Sequence, residues 1–170
     1  MTILLGIDPG SRFTGYGVVK VTGNHYQYID SGVIRIAATS VAAKLHTIYQ
    51  GIQAVVLQHL PQEVAIEDVF LQNNFKAALK LGQARGAAIV AVANHGLNVA
   101  EYSARTIKQS VVGYGAASKD QVQHMVKRLL NIKDVLEEDA ADGLAVAICH
   151  GQNRVLNRVY AELAQEAEVK

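Results

Sequence analysis

Acids stand where this chain is otherwise most apolar, and that placement limits what it can fold into. Ile3-Leu4-Leu5-Gly6-Ile7 runs into Asp8-Pro9-Gly10-Ser11, Val64-Ala65-Ile66 runs into Glu67-Asp68, and Asp139 and Asp142 flank Ala140-Ala141. An apolar run closed by Pro and Gly reads as a buried strand ending in a turn, so Asp8 stands at a strand's C-terminal edge. Glu67 lies on a second short apolar strand, where an acid needs a partner, and Asp68 alternates to the opposite sheet face. Asp139 and Asp142, spaced by three, share one face of an Ala-rich helix. Pairing the two strands in parallel would bring Asp8 and Glu67 together.

The remaining elements follow from periodicity and punctuation. Tyr16 to Val21 and Tyr26 to Ile36, rich in Val, Ile and Tyr and separated by Thr22-Gly23-Asn24, read as a hairpin, so three antiparallel strands open the fold. Ser40 caps a helix whose apolar face includes Leu45, Ile48, Ile52, Val55 and Val56, and Leu60-Pro61 ends it. Phe75 to Asn94 reads as an Ala-rich helix and Leu97 to Tyr102 as a strand. Ser118 and Gln121 form a capping box ahead of an apolar face of Val122, Met125, Val126, Leu129 and Leu130. A final helix begins near Asp139. The chain thus divides into a domain at 1–152 and an appended tail at 153–170, for which helix and disorder are both open.

At 170 residues, half of them hydrophobic and only two of them Pro, one folded domain with one active site is expected. The single Cys149 excludes an internal disulfide and a thiolate zinc site, and fits a reducing, cytoplasmic setting. No apolar run approaches the roughly 20 residues of a membrane helix, and nothing marks export. A net charge of +1 looks wrong for a nucleic-acid binder, but from Gln72 to Arg128 eight basic residues face only Glu101 and Asp120. Lys76, Lys80 and Arg85 in this stretch read either as a solvated helix face or as DNA contacts. The six His residues show no ligand spacing, and His124 is left out of the site.

Mg²⁺ prefers oxygen ligands in octahedral geometry, so a catalytic site draws carboxylates from several elements. Two such ions about 4 Å apart can activate water and stabilise the leaving oxygen of a phosphodiester. Without metal the acids would repel, which predicts a destabilised or partly protonated site. Each acid also has a plainer role. Asp8 can open the Asp-Pro-Gly turn, Glu67 can form a structural ion pair, and Glu137, Glu138 and Asp139 can complement a helix N-terminus. Glu138 shares the face of Asp142, so spacing alone does not choose between Glu138 and Asp139.

Gly6-Ile7-Asp8-Pro9-Gly10-Ser11-Arg12 through Thr14-Gly15-Tyr16-Gly17 resembles the opening of the RuvC family of Holliday-junction resolvases. Ala65-Ile66-Glu67, Ala78 to Gly86, Lys108-Gln109, Lys119 to Met125 and Asp139 to Asp142 resemble that family in the same order. The resemblance implies an α/β, ribonuclease-H-like fold with a mixed five-stranded sheet flanked by helices. It implies a homodimer that makes paired symmetric nicks across a four-way DNA junction in recombination and repair, with Mg²⁺ as the ion and Mn²⁺ able to substitute. It also implies cooperation with the branch-migration helicase complex of RuvA and RuvB.

By the same resemblance the metal-binding acids are Asp8, Glu67, Asp139 and Asp142, not Glu138. Lys108 and Lys119 fall at the scissile and neighbouring phosphates. Phe70 takes the place of an aromatic that could stack on an unpaired base, worth about 1 to 3 kcal/mol. Gly82 and Gly86 read as close-packing sites in the core or, more sharply, as part of a dimer face, since two symmetric cuts need two active sites. The rival readings are an enzyme that processes structured ribosomal RNA precursors, an actin-like ATPase or kinase, and a junction binder without catalysis. An actin-like enzyme needs two similar domains, and convergent acids oppose the passive binder.

Overall fold

The computed structural model describes residues 1–68 and 74–168, with side chains described to residue 154. Its elements in order are β1 (Thr2–Asp8), β2 (Phe13–Thr22), β3 (His25–Arg35), α1 (Val41–His59), β4 (Glu63–Glu67), α2 (Phe75–Ala93), β5 (Val99–Tyr102), α3 (Ala104–Val112), α4 (Lys119–Leu129) and α5 (Glu138–Glu168). The five strands form one sheet in the order β3-β2-β1-β4-β5. The first three are antiparallel, and β4 and β5 join in parallel. This is the mixed α/β sheet flanked by helices that the sequence leads one to expect.

Strand alternation decides which layer each residue meets. Leu5 and Ile7 of β1 join Val64 and Ile66 of β4 in a core shared with α1 and α2. Leu4 and Ala65 point the other way, into a core built on α3, α4 and α5. Ile7 pairs with Ile66 in the parallel register, so Asp8 and Glu67 come level one step later, on the α5 side.

The caps work as the sequence suggests. Ser40 Oγ accepts from the Ala43 N–H at 3.2 Å, and Ser118 with Gln121 closes a reciprocal capping box. The helix α3 is an element that hydrophobic periodicity does not predict. Ser103 caps it, Gly113 ends it at φ +99°, and it buries only Ile107 and Val111.

Two glycines let α5 lie directly on the sheet. A Cβ on Gly15 would fall 1.8 Å from the Asp139 carbonyl oxygen, and one on Gly6 would fall 2.2 Å from that of Gly143. The helix therefore seats its backbone on β1 and β2, and Asp139 and Asp142 arrive close above Asp8. At the other end of the sheet a buried polar chain holds the same helix. His150 bonds Tyr102 at 2.9 Å and Glu63 at 3.0 Å, and Arg154 donates to Glu63 at 2.7 Å and to Thr2 at 3.0 Å.

The helix α5 runs through residue 152 and continues to Glu168, so the segment after 152 takes the helical alternative as far as residue 168. Gly82 and Gly86 correct the core-packing reading, since among the described residues nothing lies within 4 Å of a Cβ built on either. Phe75, Leu79 and Val90 are exposed on that same face of α2. Among the described residues no helix is long and apolar enough to cross a membrane.

Candidate active site

Asp8 ends β1, Glu67 ends β4, and Asp139 and Asp142 lie in the first turns of α5, so three elements deliver the four acids to one sheet edge. Asp8 and Glu67, brought level at the ends of β1 and β4, lie close enough for each carboxyl group to act on the ionisation of the other. Burial, then the charges of Glu67 and Asp142, push the Asp8 carboxyl up to about 8. Glu67 is also raised, by burial and by Asp142, against the pull of Asp8, Lys108 and Lys119. Asp142 is raised mainly by burial.

Beside these acids lies a cavity of about 240 Å³ whose polar lining is Glu67, Lys108, Lys119 and Asp142. Lys108 comes from α3 and Lys119 from the first residue of α4, the position its capping box orients. Lys119 Nζ donates to Glu138 Oε1 at 2.5 Å and to Asp142 Oδ2 at 3.3 Å. The Glu138 bond, with Asp142 adding to it, raises the Lys119 pKa and lowers that of Glu138. Glu138 is thus the partner of Lys119 rather than a member of the buried acid group. A separation of 19 residues gives no local signal for that pair, so the sequence alone does not assign it.

Among the described residues no three acid, His or Cys side chains are converged closely enough to hold an ion as they stand. The contacts explain this departure from the expected cluster. Asp8 and Glu67 face one another, while Asp142 accepts from the Lys119 ammonium at 3.3 Å. The donor chemistry nevertheless fits a hard divalent cation, because every candidate ligand is a carboxylate oxygen. Two strand ends and a helix turn hold these carboxyl groups near one another at an energetic cost that a cation would remove.

The pH dependence of stability follows with a definite sign. Asp8 rises from 3.8 to about 8 on folding, so between those values the folded chain keeps a proton that the unfolded chain has released. The associated stability is fully present below the unfolded value and is lost as pH rises through about 8. Differential scanning fluorimetry in EDTA should show the melting temperature falling from about pH 6 to about pH 9. Mg²⁺ should raise it more at the upper pH than at the lower. An equal Mg²⁺ effect at both would contradict an acid cluster that exchanges a proton for a cation.

The other expected contacts divide. Lys76 and Lys80 are exposed near the start of α2. Arg85 does not belong with them. Its side chain is only 17% exposed, donates to Glu101, and lies 3.6 Å from Asp68 on the sheet face away from α5. Two acids already hold that guanidinium, so Arg85 reaches a phosphate only by exchanging one of them. Phe70 lies outside the described residues.

A family model described as crossover junction endodeoxyribonuclease RuvC matches residues 4–150 of the chain. A protein of that name from Tolumonas auensis is 56% identical over 91% of this chain and 89% of its own length. Another, from Legionella pneumophila, is 57% identical over 91% of this chain and 89% of its own. The solved structure of Thermus thermophilus RuvC superposes with a TM-score of 0.82 at 29% identity, covering 91% of this chain and 96% of that one. T. thermophilus RuvC in complex with a Holliday junction substrate gives 0.82 at 30% identity, over 88% and 93%.

Proposed function

The chain belongs to the RuvC family of crossover junction endodeoxyribonucleases, and from that premise we propose that it resolves Holliday junctions by symmetric nicks on two like-oriented strands. The observation that carries this reading is the gathering of Asp8, Glu67 and Asp142 at one sheet edge beside a cavity walled by Lys108 and Lys119. Asp8, Glu67 and Asp139 would hold two Mg²⁺ ions, Asp142 would complete or orient the shell, and Mn²⁺ would suit the same oxygens. Bound there, the ions supply an activated water and neutralise charge at the leaving oxygen.

The chain's own groups bind and orient the phosphodiester. Lys108 has no acid within ion-pair distance among the described residues and stands ready for a phosphate. Lys119 reaches its phosphate by exchanging Asp142 and Glu138 for a non-bridging oxygen, where its charge stabilises the negative charge that develops. Lys76 and Lys80 extend the positive surface along α2, and Phe70 would stack on a base beside the crossover.

Paired cuts require two such edges, and α2 offers the surface for a homodimer. Phe75, Leu79, Gly82, Gly86 and Val90 recur at helical spacing on a stripe that nothing among the described residues of one protomer covers. The branch-migration complex of RuvA and RuvB is the proposed helicase partner, and the cytoplasm the proposed setting.

The test is a labelled synthetic four-way junction with Mg²⁺, compared with linear duplex and an RNA hairpin. Paired symmetric nicks in the junction alone are expected. RNA cutting without junction cleavage would replace this reading with RNA processing. In the same series, Leu79→Glu should convert a sedimenting dimer to monomer and reduce paired nicks to single ones. A fully active monomer would remove the dimer from the proposal.

A further inference from the structure

The edge that carries the acids continues around the sheet to a second concave surface. Following Asp8, the β1–β2 turn leads to Ser11 and Arg12, which with Lys44 of α1 and Lys80 of α2 rim a groove of about 180 Å³. Its floor includes the apolar side chains of Leu45 and Ile48. The turn is fixed in place, since Thr14 Oγ1 donates to the Gly10 carbonyl at 3.1 Å and the Arg12 carbonyl accepts from Ile36 at 2.9 Å.

The charge here is uncompensated. Arg35, Arg85, Lys119 and Arg154 each meet a carboxylate, whereas among the described residues Arg12, Lys44 and Lys80 have no acid within ion-pair distance. The two helices add to the field. Each is 19 residues long, each starts at this edge, and neither has an acid in its first turn to offset the positive end of its dipole.

Resting on the resolvase reading, we infer that this groove is a second phosphodiester-binding site, which grips backbone of the junction that the carboxylate cleft does not cut. Three cations suit phosphate oxygens, and the apolar floor suits the face of a deoxyribose that has no 2′-hydroxyl to satisfy. The cleft and groove lie on opposite faces of one sheet, joined across its edge by the β1–β2 turn. A branched substrate can engage both at once, because its strands leave the crossover in different directions. A straight duplex cannot follow that bend without deformation, which costs energy. The groove therefore contributes to selection of branched over linear DNA.

The test is equilibrium binding in EDTA, where no strand is cut, of labelled junction and linear duplex across a salt series. Lys44→Ala with Lys80→Ala should weaken junction binding by about tenfold and reduce the slope of log affinity against log salt by about two, roughly 0.9 for each phosphate no longer neutralised. Linear duplex binding should change much less. Lys20→Ala, on β2 opposite Ile3 and far from this edge, should leave both substrates unaffected. Unchanged junction affinity and slope in the double variant, with wild type still cutting junctions, would overturn the groove and leave the resolvase reading intact. Equal losses for junction and duplex would overturn its role in selection. A wild type that neither binds nor cuts junctions would overturn both.

Discussion

Asp8→Asn is expected to abolish junction cleavage while making the metal-free protein harder to melt at about pH 8. The two effects share one cause. Asp8 ends β1 with its carboxyl buried beside Glu67 and raised by Asp142 and Asp139 as well, so ionising it in the absence of a cation opposes folding. An amide keeps the shape, donates a hydrogen bond to Glu67 and carries no charge. For a chain of this length each kcal/mol of repulsion removed should raise the melting temperature by about 2 to 4 °C. Cleavage should fall by at least about a thousandfold, at the upper end of what loss of one electrostatic stabiliser costs a hydrolase. Junction binding should be retained or tightened, because one negative charge facing phosphate has gone. Gel assays and fluorimetry on the same preparation read all three. Stable protein that still nicks at the wild-type rate would remove Asp8 from the reaction.

Gly15→Ala should produce a loss of the opposite kind, in which stability and activity fall together. The added methyl would meet the Asp139 carbonyl at 1.8 Å, and backbone cannot swing aside as the end of a long side chain can. Either α5 lifts or β2 bends. Overpacking of this sort typically costs about 1 to 3 kcal/mol, which in this chain corresponds to roughly 2 to 12 °C. A lifted α5 also carries Asp139 and Asp142 away from Asp8 and Glu67, and a displacement of about 1 Å at a catalytic group can cost about a hundredfold in rate. Activity measured well below the melting transition separates the two effects. Cleavage at the wild-type rate by a destabilised variant would show that the depth at which α5 sits does not set the geometry of the acids.

Much of this arrangement is legible in the sequence because its signals are local. Ser40, and Ser118 with Gln121, mark helix starts by hydrogen bonds that close within three residues. The alternation of Leu5, Ile7, Val64 and Ile66 sends one face of each strand to a core and so places Asp8 and Glu67 on the other. The helix α3 escapes such a reading because Ile107 and Val111 are too few to set a period among Arg105, Thr106, Lys108, Gln109 and Ser110. Ser103 before it and Gly113 after it are the punctuation that reveals it.

Other features depend on contacts far apart in the chain. Arg85 looks like a free cation until β5 brings Glu101, and the end of β4 brings Asp68, to the same place. Gly82 and Gly86 are small whether they face a core or open space, and only the packed structure tells which. Glu138 and Asp142 lie on one helical face by spacing, yet burial of one and the bond of the other to Lys119 are set by how α4 meets α5.

The unbroken run of α5 bears on how the molecule could be instrumented. Its 31 residues span about 46 Å from Glu138 to Glu168. A fluorophore or surface tether attached near Glu168 would therefore sit a helix's length from the reacting edge. Single-molecule observation of one resolvase on one branched substrate could use that attachment with the strand-cutting face left open to solution.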